Sequence, residues 1–189
     1  MPRKRNHNKG PIWQGKHALA GSDPLVVMPT ANRGEQPAEY FARMSQKQWE
    51  KHYHYTSMDG AKAITTSGRM LPSTRGSGYT KDDMRFGEGI YATKMDPHSH
   101  TRGQIAHNNY DGSFPKNGAK TQRYIEVTAP TDMVKNCCHK DRDIYMLDTN
   151  QPMKVMRQSD VEQQAKYWLG VQGALGSGYP SKQRALAWS

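Results

Sequence analysis

Cysteine is nearly absent: there are two, Cys137 and Cys138, and they are adjacent. Neighbouring residues do not close an ordinary disulfide with one another, so a disulfide scaffold is excluded, as is a zinc site built from several cysteines. Long apolar runs are also missing. Nothing approaches the roughly 20 residues that span a bilayer, and no apolar h-region follows Met1. The sequence therefore predicts a soluble chain with no membrane partner and no Sec-type signal peptide, acting inside a cell, its own or a target's. Hydrophobic residues make up 34%, well under the roughly 45–50% usual for a globular domain, so the expected core is modest. Carboxylates are outnumbered, 17 Asp+Glu against 27 Lys+Arg, for a formal net charge of +10. Such an excess suits an anionic partner (nucleic acid, an acidic protein, a phosphate-rich ligand) or simply keeps a polar chain in solution.

What is present suits one domain of ordinary size with arms to spare. Residues 1–37 read as a basic arm rich in Pro and Gly. Met1-Pro2-Arg3-Lys4-Arg5 opens it, Gly10-Pro11 and Asp23-Pro24 punctuate it, and Leu25-Val26-Val27-Met28 is its one strand-like stretch. Arg3-Lys4-Arg5 suits a nuclear address, a phosphate contact or a solvated terminus alike. Residues 38–170 read as the folded domain. Tyr40, Phe41, Met44 and Trp49 have loose helical spacing over 38–49, and the aromatic and β-branched run 52–56 reads as a strand. A short helix over 59–67 has Ser57 or Asp59 to cap it and Gly68 to end it. Loop follows over 71–85, then a strand over 90–93. Residues 98–120 read as a helix remnant and an exposed loop. Strands are expected over 124–128, 144–147 and 153–156, and a flexible tail over 171–189. Several short strands with little helix between them make an α+β domain.

Three segments carry the chemistry, in this order: His52-Tyr53-His54-Tyr55-Thr56-Ser57, then Phe86-Gly87-Glu88-Gly89-Ile90-Tyr91-Ala92-Thr93, then Asp143-Ile144-Tyr145-Met146-Leu147-Asp148-Thr149. Taken singly each has a plain explanation: a half-buried strand histidine, a glycine turn into a strand, a charged strand start. Together they resemble the catalytic domain of the diphtheria-toxin and poly(ADP-ribose) polymerase group of ADP-ribosyltransferases. In that group a strand with His-Gly-Ser is followed by Phe-Gly-x-Gly-Ile-Tyr-Phe-Ala, and later by a Glu that opens a strand. Residues 53–57, Tyr-His-Tyr-Thr-Ser, bring the chain nearest to the His-Tyr-Asp subgroup of toxin ADP-ribosyltransferases.

The resemblance implies a compact fold of two small antiparallel-rich sheets with few short helices, NAD+ as substrate and no metal. It implies His54, Tyr91 and Asp143 as catalytic residues, with His54, Tyr55, Thr56, Gly89 and Tyr91 contacting NAD+. Breaking the nicotinamide–ribose bond builds positive charge on the ribose, as glycoside hydrolysis does. A carboxylate beside that ribose, Asp143, stabilises the charge and activates the acceptor. Tyr91 offers a flat apolar wall to nicotinamide, and the glycines before it let the backbone turn tightly. His54 meets the adenosine-side ribose, Thr56 stands where the group has Ser, and Tyr55 binds the nicotinamide amide through its backbone.

Departures narrow the expectation. Tyr55 replaces the group's Gly, and Arg102 sits at the spacing of the polymerases' second stacking Tyr, for which Tyr110 is a substitute. Asp143 is one methylene shorter than Glu, which favours transfer of a single unit; Glu126 is the alternative carboxylate. By sequence, Arg69, Arg75 and Arg85 are the nearest candidates to contact the NAD+ pyrophosphate, Arg69 being counted among the cofactor-binding residues, though the basic surface could equally face the acceptor. The expected partners are NAD+, a macromolecular acceptor (protein, RNA or DNA) and an immunity or antitoxin protein. Two other functions fit the same residues: an NAD+ glycohydrolase with water as acceptor, and a basic nucleic-acid-binding module without catalysis.

Overall fold

The structure is a computed structural model that describes residues 24–74, 85–110, 117–138, 142–149 and 151–174. Arg3-Lys4-Arg5, Arg75 and the tail from 175 onward lie outside the described residues. Among the described residues, eight strands and four α-helices follow one another. In chain order they are β1 (Leu25–Met28), α1 (Pro37–Ser45), β2 (Trp49–Thr56), α2 (Met58–Ser67), β3 (Arg69–Met70) and β4 (Ile90–Ala92). After these come α3 (Arg102–Tyr110), β5 (Arg123–Pro130), β6 (Val134–Asn136), β7 (Tyr145–Leu147), β8 (Met153–Arg157) and α4 (Gln158–Ala174). Five strands form one sheet in the order β2-β5-β1-β8-β3, and three form a second in the order β4-β7-β6. Every pairing is antiparallel except β1 with β5. This is the α+β architecture of two small sheets that the resemblance implies.

Local chemistry explains the helices. Pro37 opens α1 where its missing N–H costs nothing, and Glu39 accepts from the Gln36 N–H at 3.0 Å. Ala38, Tyr40, Phe41 and Met44 form its buried stripe. Ser57 caps α2 by accepting from the Gly60 N–H at 3.0 Å, and Gly68, with φ +63°, ends it in the left-handed conformation that a glycine adopts without strain.

Three expectations need correction. The folded body does not begin at residue 38, because β1 is the middle strand of the larger sheet. Leu25 pairs with Val127 on one side and Arg157 on the other, and Val26, Val27 and Met28 are buried. A strand covered on both faces reads as an unbroken apolar run, and the surrounding Pro, Gly and basic residues disguised it as part of an arm. The second correction is α4, a 17-residue helix where no helix was expected over 158–170 and a tail from 171. Val161, Ala165 and Trp168, spaced i, i+4, i+7, seat it against Tyr40, Phe41 and Met44 of α1. The Gln, Glu and Lys residues between them hid the stripe. Third, α1 stops at Ser45, and Trp49 opens β2 instead of closing a helix.

The main core lies between the sheets. Val27, Ile125, Val127, Met153 and Val155 of the larger sheet meet Ile90 and Leu147 of the smaller one, with Ala61 and Ile64 of α2 among them. Two pairs of main-chain bonds then tie β4 to the chain of the larger sheet. Tyr53 and Thr93 exchange bonds of 2.8 and 3.1 Å, and Ser73 and Gly89 exchange bonds of 2.9 and 3.2 Å.

Candidate active site

The Phe86-to-Thr93 segment forms because two glycines allow it. Gly87 has φ +111°, a conformation that L side chains rarely adopt. At Gly89 the reason is space: a Cβ there would lie 2.6 Å from the Leu147 carbonyl oxygen and 2.6 Å from Met146 Cγ. With no side chain at Gly89, β4 closes onto β7, pairing Tyr91 with Met146 and Ala92 with Tyr145. The Tyr91 hydroxyl folds back, donating to the Gly87 carbonyl at 2.5 Å and accepting from the Phe86 N–H at 3.2 Å. The half-buried ring packs beside Phe86 on Ile144 and Met146, and burial pushes its phenol pKa up.

β2 brings His54 to the same strand. Its Nδ1 lies 2.8 Å from the Tyr91 carbonyl oxygen. A carbonyl only accepts, so Nδ1 carries the proton. Burial pushes the imidazole pKa below its ordinary value, so the ring is neutral and Nε2 keeps a lone pair for a hydroxyl donor. Alternation along β2 puts His52 on the same face. His52 is 2% exposed, its ring centroid lies 4.8 Å from that of Tyr145, and its Nε2 is 3.7 Å from Glu50 Oε2. Burial lowers its pKa, while the Glu50 carboxylate pulls it up.

Asp143 lies two residues before β7, beside the chain that continues β4. Its Oδ2 accepts from the Thr93 hydroxyl at 2.7 Å and from the Lys94 N–H at 2.6 Å. Its Oδ1 faces the Cys138 thiol at 3.7 Å. The Lys94 ammonium reaches Glu50 at 2.7 Å and sits 4.6 Å from the centre of the Tyr145 ring. Buried Asn108 of α3 grips the Asp143 main chain: Nδ2 donates to its carbonyl at 2.9 Å, and Oδ1 accepts from its N–H at 2.6 Å. Neither Asn108 nor Thr93 was singled out from the sequence. The available signal was a polar Asn one turn after Ile105, on the buried side of α3.

His54, Tyr91 and Asp143 thus meet at β4 and its continuation to Lys94. The Tyr91 ring and the Asp143 carboxylate have different partners, and the chain from β4 to Lys94 connects them. The other expected contacts are more scattered. Thr56, half-buried, ends β2 opposite Arg123. The Tyr55 side chain turns to the face away from His54, packing with Tyr53, Ile105 and Tyr124 and donating to the Met95 carbonyl at 2.8 Å. The Tyr55 carbonyl accepts from the Tyr110 hydroxyl at 3.1 Å. Arg102 donates to the Gly118 and Thr121 carbonyls at 2.6 and 3.1 Å. Arg69 lies on β3, at the edge of the larger sheet opposite β2, so the structure does not bring it to the other three. Glu126 pairs with Tyr53, on the face away from His54, and approaches Lys51 at 3.6 Å. Among the described residues no His, Cys, Asp and Glu side chains gather into a metal-holding group, and no helix is long and apolar enough to cross a membrane.

Residues 52–160, more than half of the chain, match the family described as HYD1 signature containing ADP-ribosyltransferase. The chain belongs to this family. Its match begins in β2 and ends in α4, and so takes in every element that positions His54, Tyr91 and Asp143. Searches of curated proteins and of solved structures found no match. At the level of the family, ADP-ribosyltransferases use NAD+ as substrate.

Proposed function

We propose that this ADP-ribosyltransferase cleaves the nicotinamide–ribose bond of NAD+ and transfers a single ADP-ribose to a macromolecular acceptor, protein or nucleic acid, as a toxin or effector. The observation that carries the reading is the convergence of His54, Tyr91 and Asp143 on β4 and the two residues that follow it. Tyr91, its ring held by the Gly87 carbonyl, walls the nicotinamide. His54, neutral and protonated on Nδ1, accepts a ribose hydroxyl at Nε2. Asp143 stabilises the positive charge that grows on the nicotinamide ribose and orients the acceptor. Its short side chain reaches one ribose and favours one transfer over chain growth. The Tyr55 side chain points away from His54, which is consistent with a backbone contact to the nicotinamide amide.

The test is incubation with radiolabelled NAD+ and cell extract, followed by RNase or protease. Label should enter a macromolecular fraction, and one of the two enzymes should remove it. Asp143→Ala should abolish the labelling. A wild type that labels nothing, or an Asp143→Ala variant equal to it, sinks the reading. Equal nicotinamide release with and without extract would instead favour water as the acceptor.

A further inference from the structure

We infer that Asn108 and Thr93 are positioning residues that assign different tasks to the two oxygens of Asp143: Oδ2 is held in place and Oδ1 meets the substrate. The inference rests on the NAD+ reading above and adds how the carboxylate is aimed.

The main chain comes first. Asp143 precedes β7, where the ladder with β4 has ended at Ala92 and Tyr145. The Asn108 side chain takes over the ladder's role, with one donor to the Asp143 carbonyl and one acceptor for its N–H. An amide side chain presents the same donor and acceptor as a peptide group. Asn108 is 4% exposed and both bonds are partly buried, so losing one partner leaves a shielded polar group unsatisfied. The Arg142 guanidinium donates to the Asn108 main-chain carbonyl at 2.6 Å, fixing the end of α3 to the same loop.

Proton bookkeeping then separates the carboxylate oxygens. The Thr93 hydroxyl has one proton and two lone pairs. The Met95 N–H donates to its oxygen at 3.1 Å, and Asn108 Nδ2 approaches it at 3.4 Å. The single hydroxyl proton is therefore directed to Asp143 Oδ2. The Lys94 N–H donates to that oxygen too. Oδ2 receives two donors and Oδ1 faces a weak thiol donor, which makes Oδ1 the oxygen available to a ribose hydroxyl. Thr93 is fully buried, so its hydroxyl cannot exchange this duty for a bond to bulk water.

The test uses the full chain and follows nicotinamide release from NAD+, in the presence of cell extract as the source of acceptor, by wild type, Asp143→Ala, Asn108→Ala, Thr93→Val and Thr93→Ser. Misaiming a reacting group by about 1 Å costs on the order of 100-fold. Asn108→Ala and Thr93→Val should therefore lower kcat by about 10- to 100-fold and leave KM for NAD+ within about threefold. Thr93→Ser, which keeps the hydroxyl, should restore most of kcat. Thermal unfolding identifies any variant that fails to fold. If Asn108→Ala is one, the near-isosteric Thr93→Val and its Ser counterpart decide. A wild type that releases no nicotinamide overturns the NAD+ reading and this inference together. An active wild type, a dead Asp143→Ala, and Asn108 and Thr93 variants within about threefold of wild type overturn this inference alone. So does a rise in KM at unchanged kcat.

Discussion

Gly89 shows how little freedom the site leaves at single positions. An alanine there would place its Cβ against the Leu147 carbonyl and the Met146 side chain, both at 2.6 Å. Backbone cannot yield as a flexible side chain does, so β4 would have to part from β7. Gly89→Ala should therefore cost at least the ~1–3 kcal/mol of an overpacked core and carry activity down with it. Gly87→Ala meets nothing within 4 Å, and should cost only the roughly 1–3 kcal/mol of its strained φ. Chemical denaturation measures both losses. A second expectation concerns His52 and His54, both shifted below the ordinary range chiefly by burial. The unfolded chain takes up protons on these rings near pH 6.5, whereas the folded one resists. The unfolded state then binds more protons, so stability is lost as pH falls below about 6.5 towards the folded values. His52 is also faced by Glu50, Lys94 and Asp143. Melting curves between about pH 7.5 and 5.5 should show the decline, and His52→Leu should make it shallower. At this scale order and spacing were enough to pick out His54, Tyr91 and Asp143, which the structure brings to β4 and the residues after it; their roles are a proposal. The sequence was opaque at Asn108, whose value depends on a chain segment 35 residues away.

Among elements, legibility followed self-sufficiency. α2 carries its own cap and its own stop, and its expected range of 59–67 lies within the observed Met58–Ser67. β5 and β8 have strand-like composition and stand where they were expected, each slightly longer. β3 and β6, of two and three residues, exist because partners pair with them, and nothing in their own composition marks them. β1 and α4 depend on each other's surroundings. Val26 and Met28 face the same cluster as Tyr40, Phe41 and Met44 of α1, and α4 covers it with Val161, Ala165 and Trp168. A chain starting at Ala38 would lose the middle strand of the larger sheet, exposing β5 and β8 along their inner edges. Such a chain should show no cooperative thermal transition, whereas restoring residues from Pro24 onward should return one. A cooperative melt from the shorter chain would place β1 outside the essential fold.

For the whole molecule, the charge excess of +10 acts on encounter more than on chemistry. Attraction between many exposed charges is screened by salt, while the bonds that shape the site are short and partly buried. Raising salt from about 50 to about 200 mM should therefore reduce labelling of an anionic acceptor more steeply than nicotinamide release without acceptor. Parallel slopes would show that the positive surface plays no part in acceptor capture. β4 is three residues long, with Gly89 just before it and Thr93 just after it bonded to the chain of the larger sheet, and its own pairing made with the smaller sheet. His54 holds the middle of this short span and Asp143 holds its end. When the sheets breathe against one another, both side chains ride on the same segment. Their separation is therefore buffered against such fluctuations, and thermal motion should register last between His54 and Asp143.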